Sequence, residues 1–302
     1  MRLAKRFKHA TLYYLVRVVW FLFNHFPRAM AISLGCAIGA LAWRMIKRDQ
    51  DIVVKNLSLV YGDSLSLAEK VAIGKGFFVN SGKNIADIMR LKRSFQSEIL
   101  PAMECEGIEH LDAAYRRGKG VIAITGHIGN FELLAAFVAS RGYKTAVIGR
   151  ELHDPRLNEL LVANRTAMNL VNVLTTDPPI RLMRLLRDGY IIGVLIDIDS
   201  HRIRNAQIPF FGHPANTPIG QSILGLRSGA AFVPGFCLRL PNNRYKVIFQ
   251  PEITTSELSD SEAAVVDVTT RCSKSLETAI DQYRDQWIWL HRRFTHNLTY
   301  PS

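Results

Sequence analysis

Apolar and polar positions fall into blocks along this chain. Residues 10–26 (ATLYYLVRVVWFLFNHF) and 29–46 (AMAISLGCAIGALAWRMI) are two apolar runs. Pro27 separates them and predicts a helix break there. Residues 64–90 carry a partly amphipathic helical pattern, with Phe77, Phe78 and Ile85 as core candidates. Beyond residue 119 the period changes. VIAIT (121–125), TAVIG (145–149), VNVL (171–174), IIGVLI (191–196), AAFVPGF (230–236) and YKVIF (245–249) are short β-branched runs that predict buried strands. Helical stretches lie between them, near 130–141, 154–169, 179–188 and 216–228. A last amphipathic helix covers about 261–286, with Val265, Val268, Cys272, Leu276, Ile280, Tyr283 and Trp287 on its core stripe.

This alternation predicts an α/β fold, a mostly parallel central sheet flanked by helices. The chain divides into an N-terminal hydrophobic helical membrane-association region, residues 1–50, and an α/β body, residues 51–302. Spanning a bilayer takes about 20 apolar residues. Each N-terminal run is marginal by that measure, so insertion, interfacial docking and a buried helical hairpin all fit. Ala, Gly and Ser throughout the second run favour close helix approach. No cleavage site marks a signal peptide.

Charge sharpens the membrane reading. The formal net charge is +12. Residues 1–50 hold nine Lys/Arg (Arg2, Lys5, Arg6, Lys8, Arg17, Arg28, Arg44, Lys47, Arg48) against Asp49 alone. A segment both basic and apolar suits an anionic membrane surface, and the chain carries no nucleic-acid motif. Basic residues ahead of the first run favour a cytoplasmic amino terminus. The four cysteines (Cys36, Cys105, Cys237, Cys272) are scattered and form neither a zinc ribbon nor a disulfide framework. Gly118-x-Gly120 precedes its strand, against a dinucleotide fingerprint, and neither a G-x-S-x-G elbow nor a P-loop occurs.

The most informative stretch is VIAITGHIGNFELLAAF, residues 121–137. A strand ends at Thr125, Gly126 and Gly129 bracket a turn, and a helix begins near Asn130 or Phe131. His127 therefore sits at the carboxyl end of a strand, where α/β sheets bind ligands. With His127 in the turn and Glu132 in the first helical turn, the chain can fold back to pair them. The carboxylate would accept the Nδ1 proton and leave Nε2 as a base, a triad in which substrate hydroxyl replaces serine. N–H groups at the helix start would help hold an oxyanion. A helix-capping His with a dipole-stabilised Glu is the plain alternative.

GHIGNFE (126–132) resembles the H-x-x-x-x-(D/E) block of the lipid A biosynthesis acyltransferases, within the lysophospholipid acyltransferase superfamily. The likeness runs in order through Gly149-Arg150, Arg165, Arg184-x-x-Arg187-x-Gly189, Asp197, IPFFGHPANTPIG (208–220), Gly229 to Pro234 and QWIWLHRRF (286–294). The resemblance implies His127 as general base and Glu132 as its partner. It implies an acyl donor carried on acyl carrier protein, an acidic partner, and an anionic lipid A precursor as acceptor. It also implies no metal, no other cofactor, and a place on the cytoplasmic face of a bacterial inner membrane. Two departures stand out: Asp197-Ile198 where many members have Asp-Gln, and Lys55-Asn56 where many have an earlier Arg before the Asn.

Asn130, Arg150, Arg165, Asp197, Phe211 and Gly212 complete the set of candidate substrate-binding residues. Arg150 and Arg165 suit acceptor phosphate and ordinary ion pairs equally, and for Arg165 the resemblance implies an oxyanion as well. Phe211 and Gly212 would shape an acyl pocket or fill core, and Phe210 is assigned to core. Thr217 is placed as the cap of a helix opened by Pro218. Asp197 and Asp199 end a strand without the histidines of a metal site. His291, Arg292 and Arg293 suit headgroups or the acidic carrier, or a solvated basic terminus. An acyltransferase for another phospho- or glycolipid, a thioesterase and a non-catalytic lipid-binding protein are the other functions this chain would fit.

Overall fold

A computed structural model describes residues 2–152, 154–199, 203–255 and 261–301. The amino-terminal part is helical: α1 (Arg2–His25), α2 (Arg28–Met45), α3 (Lys47–Tyr61) and α4 (Leu67–Met89), followed by a short α5 (Leu91–Ser94). Pro27 stands at the N-cap of α2, where its missing N–H costs nothing. Ser66 and Glu69 form a reciprocal capping box that starts α4.

Helices α2 and α4 pack at glycines. A Cβ on Gly35 would lie 2.4 Å from the Gly82 carbonyl oxygen, and one on Gly39 would lie 2.2 Å from that of Phe78. The small residues of the second apolar run thus bring two backbones together. The other face of α2 leaves Met30, Ile38, Leu41 and Met45 exposed, and α1 leaves Tyr14, Leu15, Val18 and Phe21 exposed. Among the described residues no single helix is long and apolar enough to cross a membrane, but α2 and the following helix pass that test as a pair bent by 87°.

The sheet begins with β1 (Met103–Glu106), then α6 (Ile108–Arg116), β2 (Val121–Thr125), α7 (Phe131–Ser140), β3 (Thr145–Gly149), α8 (Pro155–Ala167), β4 (Leu170–Leu174), α9 (Pro179–Arg187) and β5 (Ile191–Leu195). A hairpin follows, β6 (Asn205–Phe210) with β7 (His213–Pro218), and then α10 (Gly220–Ser228), β8 (Ala231–Arg239), β9 (Tyr245–Phe249) and α11 (Glu262–Gln282). Seven strands are ordered β1-β9-β8-β2-β5-β3-β4. Every neighbouring pair is parallel except β8 and β9. Side chains alternate between two cores. Ile122 and Ile124 join Phe232, Phe236, Leu276 and Trp287, while Val121 and Ala123 face Leu133, Phe137 and Val247.

The apolar runs foretell the six strands β2, β3, β4, β5, β8 and β9. Ile85, expected in the core, is exposed, and Tyr283 and Trp287 lie past the end of α11 rather than on its stripe. Two larger features also differ from expectation. Residues 213–218 form a strand rather than the start of a helix, and α10 begins after an N-cap at Ile219. Thr217 therefore caps nothing: its hydroxyl donates to the Ala215 carbonyl and accepts from Arg293. Strand β1 is short and half exposed, with no apolar run to announce it.

A buried polar cluster ties the helices to the sheet. The Asp87 carboxylate of α4 accepts from Arg28 of α2 (Nε, 2.9 Å), from Arg239 of β8 (Nη2, 2.9 Å) and from the Tyr245 hydroxyl of β9 (2.7 Å). Burial alone would raise the Asp87 carboxyl, but hydrogen bonding to Arg28 and the charges of Arg239 and Arg28 hold it below its ordinary value. Asn84, one turn earlier, accepts from Arg239 Nε (3.0 Å) and donates to the Gly129 carbonyl (2.9 Å).

Candidate active site

Strands β2 and β5 are parallel neighbours, with Thr125 level with Leu195. The Ile196 N–H donates to the Thr125 carbonyl at 3.1 Å, so both chains leave the sheet side by side. Each delivers one residue to this carboxyl edge: His127 after β2 and Asp197 after β5.

They meet there. The Nδ1 of His127 lies 2.8 Å from Asp197 Oδ1, and the His127 backbone N–H donates to Oδ2 at 2.7 Å. The Trp287 indole N–H donates to Oδ2 as well, at 2.8 Å. Asp197 is buried, and its burial would raise its carboxyl. The charge and hydrogen bonds of His127, with the indole, prevail and hold it well below the usual carboxylate range. Burial lowers the His127 imidazole, but the Asp197 charge and hydrogen bond outweigh it and leave the imidazole above its ordinary value. Because Nδ1 donates to a carboxylate, Nε2 is left as the basic nitrogen. The His127 side chain keeps 28% of its surface, enough for a substrate to reach it.

The turn around His127 is held from several sides. Ile128 bridges to Trp287, and the Ile288 N–H donates to the His127 carbonyl. The N–H groups of Gly129 and Asn130 donate to the carbonyls of Gln286 and Cys237. Two of the expected oxyanion donors are thus occupied. The N–H groups of Phe131 and Glu132 remain in the first turn of α7, beyond reach of any intrahelical carbonyl. Gly129 has φ of +58°, and a Cβ there would lie 2.1 Å from the Cys237 carbonyl oxygen, so only glycine fits.

Glu132 does not reach His127 as expected. Its carboxylate takes a two-pronged bond from Arg165 of α8, Nε to Oε2 at 3.1 Å and Nη2 to Oε1 at 2.6 Å. Arg165 Nη1 also donates to Asn172 Oδ1 of β4 at 2.6 Å. Each nitrogen of the guanidinium makes one hydrogen bond, which leaves two of its five N–H groups over, and the glutamate and arginine are both buried. The guanidinium slots against Gly149, where a Cβ would lie 2.8 Å from Nη1. Glu132 and Arg165 are among the residues that line a small apolar cavity, with Leu134, Val138, Val147 and Ile191.

The remaining candidates separate. Asn130 is buried; its side chain caps α7 by accepting from the Leu133 N–H and turns inward toward Tyr245 and Asn84, so it positions the turn and does not face a ligand. Arg150 is exposed on the loop after β3. Phe211 and Gly212, both at positive φ, form the two-residue turn between β6 and β7. The Phe211 N–H donates to Glu277 at 2.8 Å, and its ring lies against Tyr61, Phe210 and Trp289. Phe210 is core, as expected. Asp199 accepts from Asn216 and Thr295.

Two functional elements escape the pattern of the sequence. One is the Trp287 indole, which reads as an apolar stripe residue. The other is Arg293, which the basic run His291 to Arg293 suggests is solvated. It is 1% exposed and donates to the carbonyls of Ile198 and Asn216 and to the Thr217 hydroxyl. Burial pushes its guanidinium down to about 10. It clamps the segment after Asp197. Asn56 of α3 holds the other side, donating to the carbonyls of Trp289 and His291.

The chain aligns with proteins of stated activity. It is 26% identical over 283 residues to a lipid A biosynthesis lauroyltransferase of Escherichia coli (strain K12), covering 92% of this chain and 89% of that protein. It is 24% identical over 282 residues to the palmitoleoyltransferase of the same organism, covering 92% and 88%. It is also 26% identical over 136 residues to a phosphatidylinositol mannoside acyltransferase of Mycobacterium tuberculosis, covering 43% and 42%. The bacterial lipid A biosynthesis acyltransferase family matches residues 1–296, from the first helix through the segment that carries Trp287 and Arg293. Over its whole fold, therefore, the chain belongs to the bacterial lipid A biosynthesis acyltransferases.

Proposed function

We propose that this protein moves a fatty acyl chain from the thioester of acyl carrier protein to a hydroxyl of a lipid A precursor. The single observation that carries the chemistry is the His127–Asp197 pair at the carboxyl edge of the sheet. Nε2 of His127 takes the proton from the acceptor hydroxyl as that oxygen attacks the thioester carbonyl. Asp197 fixes the tautomer and stabilises the imidazolium that forms. The same imidazolium then gives its proton to the leaving thiolate. The free N–H groups at the start of α7 and the unused guanidinium N–H groups of Arg165 are the donors available to the oxyanion. Glu132 holds that guanidinium in place. Lipid hydroxyl takes the part of a nucleophilic side chain, so no acyl-enzyme forms.

The +12 charge suits an acidic carrier. The exposed apolar faces of α1 and α2 with their basic residues suit the cytoplasmic face of an inner membrane. Similarity to the mycobacterial enzyme supports a second acceptor class, a phosphoglycolipid, for the same chemistry.

The test supplies purified protein with acyl carrier protein thioester and, separately, lipid A precursor or phosphatidylinositol mannoside, and weighs the products. Acylated lipid A precursor is expected, with His127→Ala inactive but folded. Product on the mannoside alone would reassign the acceptor. Free fatty acid released equally with and without lipid would make it a thioesterase. Full turnover by His127→Ala would end the mechanism.

A further inference from the structure

Helices α2 and α3 meet at a sharp elbow, and an open concavity of about 540 Å³ lies there. Arg44 from the last turn of α2, Lys47 from the first turn of α3 and Lys75 from α4 converge on it, with Trp43, Gln50, Ala40 and Leu41 completing the wall. All three cations are exposed, and no acidic side chain is among the described lining residues. α3, 15 residues long, starts here with no side-chain cap at Ile46, and the N–H groups of Ile46 and Asp49 donate to the carbonyls of Ala42 and Ile46. Lys47 stands at the positive end of the α3 dipole, which Asp49 in the same first turn offsets in part, so the draw on an anion comes chiefly from the three side-chain cations.

The rim decides what kind of anion. Met45, Ile46 and Leu41 are exposed beside Arg44 and Lys47. On α4, Leu67 and Val71 are exposed at four-residue spacing before Lys75, on the same helical face. A charged hollow bordered by exposed apolar side chains fits a ligand with a phosphate at one end and hydrocarbon at the other. Free phosphate has no use for the rim, and Trp43, the aromatic side chain of the wall, is buried and presents no open face for a base to stack on.

We propose that this elbow binds the phosphate headgroup of an anionic glycerophospholipid at the membrane surface, with the lipid chains against α2 and α4. The proposal rests on the reading that the N-terminal helices lie at a membrane. It sets the depth and tilt at which the α/β body meets the bilayer.

Flotation of the full-length protein with vesicles tests it. One set is pure phosphatidylcholine, and the other has about one-third of it replaced by phosphatidylglycerol. Wild type is expected to partition more strongly onto the anionic set, and Arg44→Gln/Lys47→Gln/Lys75→Gln to lose roughly 100-fold of that partitioning. Lys47→Arg/Lys75→Arg, which keeps the charge, is expected to retain it. Removing Arg116, Lys119 and Arg187, exposed cations at the amino edge of the sheet and outside the elbow, is expected to leave it nearly intact. An unfolding midpoint for each variant guards against misfolding.

Equal binding of wild type to both vesicle sets would overturn the headgroup site while leaving the membrane reading standing. Failure to bind either set would remove the membrane reading, and the proposal with it. Calorimetry with inorganic phosphate is the last arm. Phosphate binding as tight as vesicle binding, lost in the triple variant, would make the elbow a free-anion site and overturn the lipid assignment.

Discussion

The indole N–H of Trp287 and the backbone N–H of His127 donate to the same oxygen of Asp197, at 2.8 and 2.7 Å. The other oxygen is thereby left for the imidazole. Trp287→Phe keeps the ring and deletes one donor. A hydrogen bond to a charged group contributes about 1.5–3 kcal/mol. The variant is expected to lose about 2 kcal/mol in denaturant unfolding and about tenfold in kcat, with KM nearly unchanged. Wild-type kcat would show the indole to be a packing residue alone.

The pH dependence follows from the direction of two shifts. His127 must be neutral to act as base, and its imidazole lies above 6.5 in the folded protein. Turnover is expected to rise with pH along a single acid limb centred above that value. Asp197→Asn removes the charge that raises it. The limb should then move to lower pH while the plateau rate falls about 10³-fold. An unmoved limb in Asp197→Asn would assign the titration to another group.

Stability carries the same pair with opposite signs. A raised imidazole contributes fully below its unfolded value of 6.5 and loses that contribution as pH rises through its folded value. A depressed carboxyl contributes fully above its unfolded value of 3.8 and loses it as pH falls toward its folded value. The pair therefore stabilises most between 3.8 and 6.5. Unfolding curves of wild type and His127→Ala should differ most in that window and by less on either side.

Glu132 and Arg165 separate folding from catalysis. Glu132→Gln leaves a buried guanidinium without its counter-charge, which costs about 3–5 kcal/mol. Replacing both by Leu and Met should restore most of that stability, because a buried ion pair is worth little over an apolar pair of similar size. Turnover should stay lost in the double variant if Arg165 meets the oxyanion. Recovered turnover would reduce the pair to a scaffold.

Gly129→Ala combines a left-handed backbone with a 2.1 Å clash on the Cys237 carbonyl. It is expected to destabilise the protein by about 2–4 kcal/mol and to abolish activity by moving His127. Gly118→Ala shares the positive φ but meets open space. About 1 kcal/mol is expected there, with activity kept.

The strand runs were legible because each is a short β-branched block buried on both faces, and parallel sheets impose that composition. The hairpin β6–β7 was not. Pro209, Pro214 and Pro218 and the polar Asn205, Gln207, Asn216 and Thr217 give it neither an apolar run nor a helical period. At the site, His127 was legible from its strand–glycine–helix setting. Its partner is not a local neighbour, and Glu132, five residues away, is the carboxylate that sequence displays. Asp197 stands 70 residues on, and only the adjacency of β2 and β5 brings it in. Glu132 was visible as chemistry, but its role was fixed by Arg165, which arrives on a different helix.

Asp87 gives the front of the molecule a hold on its centre. One carboxylate is shared by a cation from the second helix and a cation from the sheet, and its neighbour Asn84 grips the carbonyl beside the histidine turn. Trimming the first fifty residues to gain a soluble enzyme would remove Arg28, bare the glycine groove of α4 and loosen the support under Gly129. Such a shortened protein should fold poorly and turn over slowly even on water-soluble substrates, since what looks like a mere tether is also a buttress.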